Sequence, residues 1–178
     1  KLTQPGLPEI VVDISNAAID TGNSGVIRVT RSLCRELQKY CDPVFVMWDS
    51  ELGGYVYPTA PEYEQLSQFN GPRPRENQIV SPPGRRFRFE MGDLEQSDET
   101  PWLFLSETIM ESSGKQIRAF ARARGFRIAA IFYDAIPVLR PDLVKDARIR
   151  ENHASYMRGL ADCDLVIPIS EFSEQCLR

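Results

Sequence analysis

The feature that most constrains the fold is an apolar run that stops abruptly at polar residues able to begin a helix. One such run, RIAAIF, ends at Tyr133 and Asp134, and a second, DLVIPI, ends at Ser170 and Glu171. Short continuous apolar runs between helical segments are typical of buried parallel strands. Because open α/β sheets bind ligands where such strands end, the pattern predicts a site as well as a core.

The same alternation of strand and helix runs along the rest of the chain. Strands are predicted at 9–14, 44–48, 102–105, 127–132 and 164–169, and helices at 26–40, 61–69, 112–125, 142–161 and from 170 onward. This order favours right-handed parallel crossovers. We therefore expect an α/β protein, with a Rossmann-like open parallel sheet and helices on both faces.

The length of 178 residues fits a single domain, 1–178, with one core. Seven of the 13 prolines lie between residues 50 and 101. A structureless loop of that length is unusual in a compact domain. The sequence therefore predicts a Pro/Gly-rich insertion at about 50–101 with short elements of its own.

The charge pattern argues against nucleic acid as a partner. The formal net charge is -4, which supplies no long-range attraction for polyanions. The insertion does contain several arginines that alternate with prolines and phenylalanines. Such a composition could bind an anionic acceptor or single-stranded RNA, but we expect these arginines to be solvated and to anchor the loop. They are the arginines at positions 73, 75, 85, 86 and 88.

Cysteine and histidine usage predicts neither a metal site nor disulfides. The four cysteines show no C-x-x-C spacing, and His153 is the one histidine. Reduced thiols fit a cytoplasmic protein, and neither a signal peptide nor a membrane span is visible. His153 shares a predicted helical face with Met157 and Leu160, so we expect a packed or half-exposed side chain.

A glycine-bearing loop, TGNSGVIR at 21–28, lies where the first strand should lead into the first helix. Gly22 and Gly25 would let backbone N–H groups approach a ligand at the positive end of that helix. Arg28 could contact a phosphate or a sugar. The alternative is a loop that needs glycine only for its turn, with a solvated arginine beside it.

Two alternatives also remain open at the other strand ends. Asp134 could hydrogen-bond a sugar hydroxyl or help to deprotonate it, or it could cap the turn around Ile136. Ser170 is a good helix N-cap and Glu171 suits the first turn of a helix, so both residues could be purely structural.

Three segments together resemble the amino-terminal domain of a GT-B glycosyltransferase, in the retaining group often called family four. The run TGNSGVIR is similar to the family's T-G-I-x-R-V turn, and IFYDAIPVLRP to its Y-D-L-I-P or H-D-L-I-P strand end. The run ADCDLVIPISEFSEQCL resembles its A-D-x-V-I-x-x-S-E-x-S strand and helix. Many relatives have histidine where this chain has Tyr133, which excludes an imidazole base at that position.

The resemblance implies a hexosyltransferase that moves a sugar from a nucleotide sugar to a glycan or lipid-linked acceptor. It assigns a catalytic role to Asp134, and it assigns substrate contacts to Gly22, Gly25, Arg28, Tyr133, Ser170 and Glu171. It implies no metal and no cofactor besides the donor. The donor site would belong to a second, carboxyl-terminal domain beyond Arg178, without which we expect no turnover, and a peripheral membrane contact is compatible with this family.

Two other functions stay open at this stage. One is an NAD(P)-dependent Rossmann oxidoreductase, which the missing G-x-G-x-x-G fingerprint disfavours. The other is a non-catalytic carbohydrate- or protein-binding module, because a fold does not by itself determine a function.

Overall fold

The computed structural model describes residues 8–22, 24–67, 86–94, 99–109 and 111–178. Its strands are β1 (Ile10–Asp13), β2 (Val44–Asp49), β3 (Gly54–Val56), β4 (Trp102–Leu105), β5 (Arg127–Phe132) and β6 (Leu165–Pro168). Its helices are α1 (Gly25–Leu37), α2 (Ala60–Gln65), α3 (Glu111–Ala123), α4 (Ile136–Leu139), α5 (Ala147–Leu160) and α6 (Glu171–Leu177), with one 3₁₀ turn at Met91–Asp93.

The strands form one six-stranded sheet in the order β3-β2-β1-β4-β5-β6. Five strands are parallel, and β3 runs antiparallel to β2. The fold is therefore mixed α/β with a mostly parallel sheet, and its strand order is compatible with a Rossmann-like architecture. The expectation of an entirely parallel sheet was wrong at β3, because a short turn with Gly53 at φ 58° reverses the chain after β2.

Helices cover both faces of the sheet, as expected. Val11 and the strand side chains that point to the same face of the sheet pack against α3 and α5, for example against Ile117 and Leu160. Val12 and the strand side chains on the opposite face pack against Ile27 of α1 and against Leu66, which directly follows α2. The alternation of side chains along each strand thus supplies both halves of the core.

The insertion contributes directly to the main sheet in its described part. Tyr55 of β3 is fully buried, and Val56 forms a bridge with Arg88. Arg86 makes an ion pair with the buried Glu62 at 2.5 Å, and Arg88 pairs with Glu90 at 3.2 Å. These contacts support loop anchoring, whereas arginines 73, 75 and 85 lie outside the described residues.

The starts of α3 and α5 differ from the predicted caps. The sequence predicts that Ser112 or Ser113 caps α3, but the helix starts at Glu111, so both serines lie inside it, and Gly125 at φ 76° follows its end. Helix α5 starts at Ala147 because the side chain of Asp146 accepts a hydrogen bond from the N–H of Arg148.

The buried face of α1 also differs from the prediction. Apolar spacing predicts that Val26, Val29, Leu33 and Leu37 face inward, with the arginines on the polar side. The structure instead buries Ile27, Thr30, Arg31 and Cys34. The apolar pattern alone could not show this, because the two polar members find hydrogen-bond acceptors inside the fold.

Among the described residues, no helix is long and apolar enough to cross a membrane. No disulfide joins any of the cysteines at positions 34, 41, 163 and 176.

Candidate functional site

The loops that carry the predicted site residues leave the sheet at one edge, because parallel strands share their carboxyl ends. Between β1 and β4 the order of connection reverses, since β1 leads to β2 on one side and β4 leads to β5 on the other. Such a reversal is where doubly wound sheets bind ligands. The carboxyl edge is therefore the candidate site.

Tyr133 holds three of these loops together. Its hydroxyl donates a hydrogen bond to the carbonyl of Ser106 at 2.6 Å and lies 3.5 Å from the carbonyl of Val26. Its own carbonyl accepts from the hydroxyl of Ser173 at 2.7 Å. The side chain of Tyr133 thus links the end of β4 to the start of α1, and its backbone carbonyl links the end of β5 to α6.

The same contacts bear on the predicted substrate role of Tyr133. The side chain is only 4% exposed, and its hydroxyl is used inside the protein. Burial raises the pKa of this phenol to about 12. Direct substrate binding by Tyr133 stays a prediction, and the observed role is to join the loops.

Asp134 is half-buried directly after Tyr133. Its Oδ1 accepts a hydrogen bond from the N–H of Ile136 at 2.9 Å, which is the predicted turn cap. Its backbone carbonyl lies 2.7 Å from Nε2 of His153, so the half-buried histidine has a packing role as expected. The cap leaves Oδ2 for a ligand, and the catalytic role stays a prediction.

Ser170 and Glu171 are exposed at the start of α6. The hydroxyl of Ser170 accepts a hydrogen bond from the N–H of Ser173 at 3.1 Å. Glu171 occupies the first turn of the helix. Both structural interpretations are therefore realised, and their exposure also leaves both side chains accessible to a ligand.

The loop before α1 contains the remaining predicted residues. The N–H of Gly22 donates to Oδ1 of Asp20 at 2.6 Å, and a Cβ at Gly22 would lie 2.9 Å from that oxygen. A larger residue here would displace the carboxylate of Asp20, which is the end of an exposed and flexible side chain and can move aside. Gly25 faces open space and Arg28 is exposed, so neither is committed to the core.

Two buried carboxylates at this edge, Asp13 and Glu107, were not predicted from the sequence. Asp13 ends β1, and Glu107 is the second residue after the end of β4. They are 2% and 3% exposed, respectively. The signal was available, because WLFL followed by Ser106 and Glu107 repeats the pattern of an apolar run ending at polar residues.

Glu107 accepts hydrogen bonds from the loop between β1 and α1. Its oxygens lie 2.8 Å from the N–H of Asn16, 2.8 Å from Nδ2 of Asn16 and 2.6 Å from the N–H of Ala17. Burial, reinforced by the nearby Asp13, raises the pKa of Glu107 to about 7. This carboxyl therefore changes its protonation near neutral pH.

Asp13 accepts three hydrogen bonds of its own. They come from the N–H of Ser15 at 2.9 Å, the hydroxyl of Ser15 at 2.5 Å and the phenol of Tyr55 at 2.7 Å. Burial raises the pKa of Asp13 despite these donors. Its satisfied and enclosed carboxylate supports the loop rather than offering an oxygen to a ligand.

Arg31 is the third buried charge at this edge, at 2% exposure. Its guanidinium donates to the carbonyls of Ala17 at 3.1 Å, Asp20 at 2.5 Å and Gly22 at 3.4 Å. The prediction that Arg31 lies on the polar side of α1 was wrong, because these carbonyls replace water around the cation.

The chain matches no protein-family model, no curated protein and no solved structure to which it was compared. Within the described ranges, no group of three acidic, histidine or cysteine residues could hold a metal ion. The resemblance to glycosyltransferases therefore rests on the three sequence segments alone.

Proposed function

We propose that this chain is the acceptor-side domain of a GT-B glycosyltransferase. The enzyme would move a hexose from a nucleotide sugar to a glycan or lipid-linked acceptor, with retention at the transferred carbon. A second domain would bind the donor, so this domain alone would not turn over. A metal-independent reaction in the cytoplasm, with peripheral contact at the membrane, belongs to the same proposal.

One observation carries the proposal: the three family-like segments converge on Tyr133. The phenol of Tyr133 lies against the carbonyl of Val26 in the glycine-bearing segment. The backbone carbonyl of Tyr133 accepts a hydrogen bond from the hydroxyl of Ser173 in the last segment. These segments are far apart in sequence, and a chance likeness of each would not require them to meet. Their meeting at the carboxyl edge supports one shared site.

In the proposed reaction, Asp134 orients the acceptor hydroxyl. Its Oδ1 accepts a hydrogen bond from the N–H of Ile136, and its Oδ2 would accept a hydrogen bond from the acceptor hydroxyl. Gly22, Gly25 and Arg28 would contact the acceptor from the opposite loop, and Ser170 and Glu171 would line the side nearest the donor. The departing diphosphate would be stabilised electrostatically by the second domain.

The decisive experiment is Asp134→Asn in the protein that contains this chain together with its donor-binding domain. Asparagine keeps an oxygen for the N–H of Ile136, so the turn should persist while the negative charge is lost. Turnover of a nucleotide sugar should fall at least about tenfold, the low end for a positioned acid or base. Unchanged turnover would remove Asp134 from the mechanism.

A matched control is Asp142→Asn. Asp142 is an exposed aspartate, which pairs with Arg140 at 2.6 Å on the surface. Surface pairs of this kind contribute little to stability. We expect turnover and thermal midpoint to stay close to those of the unsubstituted protein.

The doubly wound, mostly parallel sheet keeps the dinucleotide alternative as a second candidate, although β3 is antiparallel here and is not the third parallel strand of a dinucleotide-binding half. Two observations weigh against it. The loop between β1 and α1 folds into a helical turn at 15–19 rather than a tight glycine turn. Asp49 does end β2, but its Oδ1 accepts from the N–H groups of Glu51 and Leu52 at 3.0 Å each, within the turn.

Binding measurements separate the candidates. Calorimetric titration of the longer protein with NADH and with a panel of nucleotide sugars would favour the transferase if only nucleotide sugars bind. Binding of NADH alone would favour the oxidoreductase. Glycan binding without hydrolysis or transfer of any nucleotide sugar would favour a non-catalytic module.

A further inference from the structure

The segment between β1 and α1 contains a single helical turn, and that turn is held from both ends. Within it, the N–H of Ala18 donates to the carbonyl of Ile14 at 2.9 Å, and the N–H of Asp20 donates to the carbonyl of Asn16 at 2.7 Å. One turn leaves N–H groups without partners at its start and carbonyls without partners at its end. These groups determine which residues can hold the loop.

Glu107 hydrogen-bonds the N–H groups at the start of the turn, and Arg31 hydrogen-bonds the carbonyls at its end. The carboxylate accepts from the N–H groups of Asn16 and Ala17. The guanidinium donates to the carbonyls of Ala17 and, further along, Asp20 and Gly22. Each charge therefore faces the end of the turn whose partial charge is opposite to its own.

We infer that Glu107 and Arg31 are a pair of positioning residues that set the conformation of loop 14–22, and that protonation of Glu107 releases the start of this loop. We call the pair the charge clamp. An ionised carboxylate accepts all three of the donors from Asn16 and Ala17, whereas a protonated one turns an acceptor oxygen into a donor. An N–H that faces this oxygen then loses its partner.

Several titratable or charged groups face Glu107 from the elements around it. They are Asp13 on β1, Cys34 on α1, Tyr55 on β3, Arg118 on α3, Tyr133 after β5 and Cys163 after α5, and Arg31 on α1 bonds the same residue, Ala17, as Glu107 does. Burial raises the pKa of Cys34 to about 12 and that of Cys163 to about 11, and the pKa of Tyr55 lies well above its usual value. Among these groups, Glu107 is the one whose pKa lies near neutral pH, and burial also raises the pKa of Asp13 above its usual value.

The two carboxyls can be told apart by the amides that they hold. Glu107 accepts from Asn16 and Ala17, whereas Asp13 accepts from the N–H of Ser15. The charge clamp concerns the shape of the loop and holds whether or not the proposed transferase activity is correct. Its consequence for any ligand is direct, because Gly22 lies at the end of the clamped segment.

The test is a pH titration of ¹⁵N-labelled chain followed by amide chemical shifts between pH 5 and 9. The amides of Asn16 and Ala17 should shift together with a midpoint near pH 7, as the pKa of Glu107 implies. The shift should disappear in Glu107→Gln and persist in Glu151→Gln, which changes an exposed glutamate on α5. Amides that do not titrate, or that titrate equally in Glu107→Gln, would overturn the inference.

Asn16→Ala provides a second test in case Glu107→Gln does not fold. It removes only the Nδ2 donor, which favours the ionised carboxylate. The midpoint for the amide of Ala17 should therefore rise, by about one pH unit. A midpoint that stays in place or falls would contradict the role of Glu107.

Arg31→Lys tests the other end of the charge clamp. Lysine keeps the charge but lacks the planar fork that reaches several carbonyls at once. Hydrogen exchange at the amides of Ala18 and Asp20 should become at least about tenfold faster, while amides in α3 keep their rates. Equal exchange in Arg31→Lys and in the exposed Arg28→Lys would refute the clamp at this end.

Discussion

The two halves of the carboxyl edge are built differently. The β1/β4 half consists of Asp13, Arg31 and Glu107, whose side chains are buried. The β5/β6 half carries Asp134, Ser170 and Glu171, which are half-buried or exposed. Charged side chains rarely lie in a core unless they are paired or hydrogen-bonded.

The residues that shape the edge are thus distinct from those that are accessible from it. In the β1/β4 half, Glu107 and Arg31 bond backbone groups of the loop after β1 and so hold that loop in place, whereas Asp13 accepts from Ser15 and Tyr55. In the β5/β6 half, the polar side chains cap their own helices and turns and retain an exposed surface. We therefore expect stability to depend mainly on the first half and ligand chemistry mainly on the second.

The largest effect on stability is expected for Arg31→Met. Methionine fills much of the volume, but it leaves the carbonyls of Ala17 and Asp20 without their charged donor. Hydrogen bonds to charged groups contribute about 1.5–3 kcal/mol each, so we expect a loss of about 4 kcal/mol. Urea unfolding measures it, with Arg28→Met as an exposed control that should change stability by less than about 0.5 kcal/mol. Similar values for both would remove the contrast between the two halves.

The next largest effect concerns the pH dependence of stability. The pKa of Glu107 is about 7 in the folded chain against an ordinary value of 4.5, so the folded state binds more protons between these pH values. The free energy of unfolding should therefore fall as pH rises from 4.5 to 7, by about 3 kcal/mol for this group. Thermal or urea unfolding at several pH values should show a smaller fall in Glu107→Gln. Equal slopes would contradict the prediction.

A smaller effect is expected for Tyr133→Phe, which tests the link between the halves. The variant loses the hydrogen bond from the phenol to the carbonyl of Ser106. One such bond contributes about 1 kcal/mol, so the unfolding free energy should fall by about that amount. Tyr40→Phe changes a phenol that is largely exposed and should leave stability unaltered. If the two variants behave alike, Tyr133 does not join the halves energetically.

The smallest effect is expected for Ser170→Ala in the β5/β6 half. It removes the side chain that accepts from the N–H of Ser173, and loss of such a cap costs about 0.5–1 kcal/mol. Ser112→Ala is the matched control, because Ser112 lies within α3 and alanine is the better helix former. Urea unfolding should show a loss for Ser170→Ala and a slight gain for Ser112→Ala. A loss in Ser170→Ala as large as that of Arg31→Met would reverse the comparison.

Much of the fold could be predicted from local pattern. The runs WLFL at 102–105 and RIAAIF at 127–132 become β4 and β5 with the predicted bounds. Their side chains are apolar on both faces, so burial follows from composition alone. The edge strand β3 was harder to predict, because a strand of three residues is too short to show a periodic pattern.

The β5/β6 half of the site was predicted with its structural alternatives, because caps act over two or three residues of sequence. The bond from the N–H of Ile136 to Asp134 and the bond from the N–H of Ser173 to Ser170 are both of this local kind. In the β1/β4 half, the run WLFL indicates that Glu107 lies at a strand end, but the partners of its buried charges are remote in sequence. Glu107 bonds Asn16 across 91 positions, and no local pattern indicates such a contact.

Local sequence patterns alone predicted the alternation of strands and helices, the end of β5 just before Tyr133 and the caps at Asp134 and Ser170. Each of these depends on periodicity or on hydrogen bonds between near neighbours. Only the tertiary structure decided that Arg31 and Glu107 are buried and that they hold one loop from its two ends. A buried charge is tolerated only where partners surround it, and those partners come together only when distant segments pack.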